Sequence, residues 1–147
     1  MKKTAIWLTI VLAGCVTPPP EPVQAPSETQ QPESVSADML RGGDWTVIAI
    51  DGVDTVVSPV PLLRWAGSEY VGGTGGCNNF VGRFTLAGDR MTLGPLASTR
   101  MLCMASPQGQ EDKFFKAVEK TRKTRMAGRE LLLADETDRV LLRLYRP

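Results

Sequence analysis

Phe84-Thr85-Leu86-Ala87-Gly88-Asp89-Arg90-Met91-Thr92-Leu93 decides the fold. Apolar and polar residues alternate on both sides of Ala87-Gly88-Asp89-Arg90, which is the period of a half-buried strand, and Gly88 between them is free to take a positive φ. The stretch therefore reads as a β-hairpin. A second hairpin follows at the end of the chain, where Glu130-Leu131-Leu132-Leu133 and Val140-Leu141-Leu142-Arg143-Leu144-Tyr145 flank the polar turn Asp135-Glu136-Thr137-Asp138. Near the start, Trp45-Thr46-Val47-Ile48-Ala49-Ile50 is β-branched and aromatic, and Asp51-Gly52 after it is a hairpin turn signal, placing a first strand at about 44 to 51. One segment breaks the period of two. From Gln108 to Lys123, Phe114, Ala117, Val118 and Thr121 fall on one helical face, with Asp112 and Glu119 each four residues before a lysine, Lys116 and Lys123. The expectation is an α+β fold: a small antiparallel sheet or partly closed barrel of about seven or eight strands, with one helix near the C-terminal third packed on it or plugging it.

The first 38 residues read differently. Lys2 and Lys3 precede a short apolar run that ends in Leu12-Ala13-Gly14-Cys15. A charged start, a short apolar stretch and small residues before a cut describe a secretory signal, and the run falls well short of the roughly 20 residues a spanning helix needs. The Leu-Ala-Gly-Cys ending resembles the bacterial lipobox, which implies residues 1–14 as the signal peptide and Cys15 as the lipidated first residue of the mature chain. Several acyl chains, at about 0.8 kcal/mol per buried methylene, give permanent anchoring. Val16 after that Cys implies sorting to the outer membrane of a Gram-negative host, with the domain in the periplasm. Residues 15–38 are rich in Pro, Glu, Gln and Ser and have little to bury, so they read as a disordered tether that could reach up to about 70 Å. The folded domain is expected over 39–147.

Composition excludes whole classes of function. The chain of 147 residues has no His, which removes Ser-His-Asp and Cys-His nucleophile systems and every metal site that needs imidazole. Its formal charge of +1 falls to about −1 once Lys2 and Lys3 leave with the signal, so no global field draws nucleic acid.

The densest local signal is Gly72-Gly73-Thr74-Gly75-Gly76-Cys77-Asn78-Asn79-Phe80-Val81-Gly82-Arg83-Phe84. Paired glycines beside Asn78 and Asn79 allow left-handed backbone, and Asn side chains close turns by bonding nearby amides. The expected product is a tight turn, with Gly76, Asn78, Asn79 and Gly82 as its motif residues, that aims Cys77 inward. A Gly-rich loop can also cradle phosphate, but no Lys-Ser or Lys-Thr follows. With Trp45, Gly94-Pro95-Leu96, Thr99-Arg100-Met101, Cys103 and Phe114, this series resembles the META domain of HslJ-like heat-shock lipoproteins over about residues 44 to 145. Phe84 stands where that family often has Tyr, and Leu102 where Ala is common. The resemblance implies an envelope protein linked to stress, drug tolerance, secretion or motility, with no accepted catalytic activity and no cofactor.

Two cysteines remain once Cys15 is lipidated. Cys77 and Cys103 form an even pair in an oxidising compartment, and a bridge would close a loop of about 25 residues and add roughly 3 kcal/mol. Two buried thiols are the plainer alternative. A third reading uses Cys77, Met101, Cys103 and Met104 as soft donors for Cu(I) or another small ligand, although their spacing matches no recognised metal motif. Around the helix end, Lys116, Lys120, Lys123 and Arg125 are candidates for an anionic-partner patch, against the ordinary reading of a solvated helix face. Trp65 and Tyr70 are candidates for exposed recognition aromatics, with burial favoured for the Trp. The expected function is that of a non-enzymatic lipoprotein held to the membrane by its N-terminal lipid, which binds an envelope protein or other envelope component, with no metal and no nucleic acid.

Overall fold

Eight antiparallel strands follow one another around a closed ring in chain order, and the first pairs with the last. The computed structural model describes residues 34–54, 56–102 and 109–147. The strands are β1 (Trp45–Ile50), β2 (Leu62–Ala66), β3 (Tyr70–Thr74), β4 (Asn79–Ala87), β5 (Arg90–Ser98), β6 (Lys123–Ala127), β7 (Glu130–Ala134) and β8 (Val140–Tyr145), with helices α1 (Ala37–Leu40) and α2 (Gln110–Lys120).

The β4–β5 hairpin is the longest pairing and follows the expected register, with Leu86 opposite Met91, Phe84 opposite Leu93 and Gly88 at φ 64°. Thr85 and Thr92 share a hydroxyl hydrogen bond of 2.5 Å across its outer face. The closing hairpin pairs Leu131 with Leu144 and Leu133 with Leu142, all four fully buried. Asp51 and Gly52 form a tight turn with φ of 51° and 78°, closed by the Ile50–Val53 bridge. They do not lead straight into a second strand, because β2 begins only at Leu62. A register shift between Val47 and Ala49 turns β1 so that both Ala49 and Ile50 reach the core.

Two seams of the ring are thin. Between β5 and β6 the register holds one pair, Arg90 with Lys123, supported by Met91 N–H donating to the Arg122 carbonyl at 2.9 Å and Thr124 N–H to the Asp89 carbonyl at 2.7 Å. The β1–β2 seam holds two, Trp45 with Leu63 and Thr46 with Leu62. Helix α2 packs against β5, β8 and β1. Its expected face is the buried one: Phe114, Ala117, Val118 and Thr121 are all within the core. Burying Phe114 alone is worth up to about 3 kcal/mol. The helix is shorter than the periodicity suggests, since the Gly109 cap has φ 72° and Thr121 is already extended. Lys123 pairs with Asp138 at 2.7 Å instead of Glu119. No ion pair joins Asp112 to Lys116 among the described residues.

The barrel has two distinguishable ends. At the near end the chain enters: Val35 and Leu40 are buried in the core, which takes in residues before the expected start at Met39. Trp45 Nε1 donates to the Leu40 carbonyl at 3.0 Å, Arg146 donates to the Arg41 carbonyl at 2.6 Å, and the Arg146 guanidinium lies 4.7 Å from the Trp45 ring centre. Arg41 reaches the carbonyl of Gly67 in the β2–β3 turn at 3.5 Å. The far end gathers the β1–β2 loop, the 75–78 turn, residues 99–102 and the start of α2. Among the described residues no helix is long and apolar enough to cross a membrane.

Candidate functional site

The Gly-rich motif runs from the end of β3 through a turn into β4, and its glycines are there for space. Gly73 has φ 152°, and a Cβ on it would lie 2.0 Å from the Leu62 carbonyl oxygen of the neighbouring strand. Gly76 has φ 113°, with the Pro59 carbonyl 2.6 Å from where a Cβ would be. Backbone thus packs on backbone at the far end, which only glycine permits.

The side chain aimed inward from this turn is that of Asn78, not Cys77. Asn78 is 8% exposed, whereas Cys77 is half-buried and its sulfur accepts from Asn78 Nδ2 at 3.7 Å. The local alternation explains the exchange: Phe80 points into the barrel, so Asn78, two residues earlier, does too. Asn78 Oδ1 accepts from the Met101 amide at 2.7 Å and from the Thr99 hydroxyl at 2.9 Å. Its Nδ2 donates to Glu111 Oε2 at 2.7 Å. Glu111 Oε1 accepts the amides of Asn78 at 2.6 Å and Cys77 at 3.2 Å. The Gly-rich loop therefore does cradle an anion, and the anion is the protein's own carboxylate. Gly75 makes room for it, since a Cβ there would lie 2.8 Å from Glu111 Cγ. Placing that carboxylate in the first turn of α2 also suits the helix dipole. Next to it, Gln110 is buried and bonds Val57 in both directions, accepting its N–H at 3.0 Å and donating to its carbonyl at 2.9 Å.

Chemically this hub is a clamp. The hydrogen bonds of Glu111 and Gln110 fix two loops to the helix start, and those of Asn78 fix a third segment. The sequence reading missed both clamp residues, although a signal existed. Glu111 stands three, four and seven residues before Phe114, Phe115 and Val118, and is thus a polar residue on the apolar stripe.

The other sequence candidates are placed as follows. Cys15, Cys103 and Met104 lie outside the described residues. Met101 is exposed beside the hub. Asn79 is the first residue of β4 and donates its amide to the Thr99 hydroxyl at 3.1 Å. Gly82 is not a turn residue: it sits inside β4 at a register shift, where a Cβ would lie 2.5 Å from Leu96 Cδ2. Trp65 is buried, edge-on to both Trp45 and Phe84, while Tyr70 is exposed beneath the Arg83 guanidinium.

The four basic candidates do not form one patch of free cations. Lys116 and Lys120 are exposed on α2, Lys123 is engaged by Asp138, and Arg125 is half-buried on β6. Asp112 and Glu119 are exposed on the same helix and dilute its charge. In the last hairpin turn each acid is occupied: Glu136 pairs with Arg90, Asp138 with Lys123, and Asp135 accepts from the hydroxyl and amide of Thr137 and the amide of Arg139. The Thr137 hydroxyl, then the two amides and the Arg139 charge, hold the Asp135 carboxyl below its ordinary range. No cluster of three metal-ligating side chains occurs among the described residues.

Two solved structures share the fold. One is an NMR structure 23% identical over 76% of this chain and 94% of its own, with a TM-score of 0.60. The other, also by NMR, is of a protein from Burkholderia xenovorans, 23% identical over 88% of this chain and 98% of its own, again with a TM-score of 0.60. No curated protein matches the chain. A family model for the META domain matches residues 38–147, from α1 through β8, so the chain belongs to the META domain family.

Proposed function

We propose that this chain is a lipid-anchored, non-enzymatic binding protein of the cell envelope. Cys15 carries the lipid, the Pro-rich stretch after it forms the tether, and the META head works in the periplasm from the outer membrane of a Gram-negative host. It serves envelope homeostasis or stress response by binding a protein or another envelope component, as its resemblance to HslJ-like lipoproteins suggests. The observation that carries this reading is the filled interior. Trp65, Phe80, Phe84 and Phe114 occupy the space that barrels with internal ligands leave open, so a partner has the outer surface to meet.

The head is pinned in this reading by a Cys77–Cys103 disulfide. The Met101 amide is held by the side chain of Asn78, next to Cys77, and Cys103 follows two residues later, a span of at most about 7 Å. A bridge withdraws both thiolates from metal binding, so the soft-donor reading of Cys77, Met101, Cys103 and Met104 is the weaker one.

Labelling cells with a palmitate analogue and fractionating their membranes tests the anchor. The expected result is a labelled protein in the outer membrane and an unlabelled, unanchored Cys15→Ala variant. A wild-type protein without label overturns it. Intact mass before and after reduction tests the bridge: a gain of two hydrogens is expected, and free thiols with bound copper would replace this reading by metal handling.

A further inference from the structure

We propose that the near mouth of the barrel is a binding site for an apolar carboxylate, and that residues 35–41 are a hinged plug that fills it. The ring of eight strands closes without this segment, which adds no strand to it. Val35 and Leu40 nevertheless sit in the core, 5% and 0% exposed, in one cluster with Trp45, Trp65 and Phe84. Gly42 and Gly43 join the segment to β1, with Gly42 at φ 98°. The Arg146 side chain lies against both, since a Cβ on Gly42 would be 3.8 Å from its Nη1 and one on Gly43 3.3 Å from its Cδ. Two consecutive glycines thus form a hinge where a plug needs one.

The bonds that hold the plug show what the mouth can hold. Trp45 Nε1 donates to the Leu40 carbonyl and Arg146 to the Arg41 carbonyl, so the plug brings two oxygens and two apolar side chains. The mouth supplies an indole N–H, a guanidinium and an aromatic wall in which Trp65 stands edge-on to Trp45 and Phe84. The guanidinium is the mismatch. Arg146 is half-buried, and no ion pair joins it to a carboxylate among the described residues, so its charge meets a neutral carbonyl and the Trp45 ring. The acids nearby are all paired, Asp38 with Arg41, Asp44 with Arg64 and Glu69 with Arg83. A second group is unmatched, because the buried Trp65 Nε1 has no acceptor among the described residues.

These groups select the occupant. A carboxylate would replace the two carbonyls and give Arg146 a charge-assisted bond in place of a neutral one. Asp38 leaves with the plug and does not repel it. An apolar tail about the size of the Val35 and Leu40 side chains would refill the space they vacate. A much longer tail has nowhere to go, because Trp65, Phe80, Phe84 and Phe114 fill the interior. The anion of a medium-chain fatty acid meets both conditions. The plug is weakly built, since two apolar side chains and the bonds above must offset the ordering of the whole segment. An occupant that supplies the same contacts therefore competes with it, and its apparent affinity scales with the fraction of chains whose plug is out. The site is independent of the lipid anchor and the disulfide proposed above.

The test is NMR on the full chain, labelled with nitrogen-15 and titrated with octanoate. The chain carries Cys15→Ala so that no detergent competes for the site, a change that leaves the readout the same whether or not Cys15 is lipidated. The expected result is saturable shifts of the Trp45 indole N–H and of the Leu40 and Arg41 amides, which donate to the Ser36 and Ala37 carbonyls within the plug. Octan-1-ol, with the tail but no charge, should bind roughly tenfold more weakly, and acetate, with the charge but no tail, should leave these signals in place. Leu40→Ala gives the sign that a merely structural segment would not: it weakens the plug, so octanoate should bind about fivefold more tightly than to wild type. Val35→Ala should act in the same direction and serves as the check where Leu40→Ala does not fold. Arg146→Gln should lose octanoate binding although it also loosens the plug, and Arg146→Lys should regain part of it. No saturable shift in wild type or in the plug variants overturns the proposal. So does an affinity that stays level or falls when the plug is weakened, or octan-1-ol binding as tightly as octanoate.

Discussion

The near and far ends of the barrel are both fastened by hydrogen bonds to backbone groups, but by opposite chemistry. At the near end, cationic or apolar side chains donate to carbonyls at the rim: Trp45 to Leu40, Arg146 to Arg41 and Arg41 to Gly67. At the far end, acceptors reach in to collect amides, with Glu111 taking those of Cys77 and Asn78, Asn78 that of Met101, and Gln110 that of Val57. Each near-end donor serves a single carbonyl. The half-buried Glu111 carboxylate collects three N–H groups over a glycine loop, so its loss leaves several donors without a partner at once, and this asymmetry sets the order of effects expected from substitution.

Gly73→Ala should break the far end outright. Its methyl would lie 2.0 Å from the Leu62 carbonyl in a conformation side chains rarely adopt, so neither a rotamer change nor a small shift relieves it. A loss of about 4 kcal/mol or more is expected, close to the whole stability of a small domain, and circular dichroism should show an unfolded or molten chain. A cooperative melt near the wild-type temperature would mean that β2 and β3 can separate there, and that the far end is looser than its geometry indicates.

Glu111→Ala comes next. It removes the acceptor for three N–H groups and leaves Asn78 buried beside them, for an expected loss of about 3 kcal/mol in urea unfolding. Glu111→Gln sharpens the comparison. Its single oxygen can keep the two backbone amides, while its new NH2 faces Asn78 Nδ2, donor against donor, so it should fall between wild type and Ala. Equal stability of the two variants would show that the charge matters and the count of bonds does not. At the near end, Trp45→Phe keeps most of the buried ring but deletes the bond to Leu40 and weakens the stacking of Arg146, for about 1.5 kcal/mol. A near-end loss exceeding that of Glu111→Ala would invert the proposed ranking.

The same asymmetry governed what could be read before the structure. The hairpin at 84–93 and the Leu-rich closing strands were legible because each carries its own period and turn, and the helix because Phe114, Ala117, Val118 and Thr121 share one face. The far-end hub was half legible. Glycines and asparagines announced a tight turn, but whether Cys77 or Asn78 points inward depends on the phase of β4, and the partner that satisfies the turn is about 33 residues away on another element. The place of Glu111 on the stripe of Phe114, Phe115 and Val118 separates it from Asp112, but nothing local names the loop it binds. The thin seam between β5 and β6 was not legible at all. It arises from the stagger between β5 and β6, a property of ring closure that no local pattern encodes.

The smallest expected effect lies outside both clusters. Asp135 sits in the exposed turn between β7 and β8 and accepts the Thr137 hydroxyl at 2.7 Å together with two amides. These bonds hold its carboxyl below the usual range. A carboxyl depressed on folding contributes stability that is fully present above its unfolded pKa and disappears as pH falls through the folded one. Asp135→Ala should therefore be modestly less stable than wild type at pH 7, with the gap closing below about pH 4, where the unfolded carboxyl begins to take up its proton. Urea midpoints measured from pH 7 down to pH 2 would show the two curves converging. A gap that persists at pH 2 would mean that the turn loses shape rather than charge, and that Asp135 acts through its geometry even when protonated.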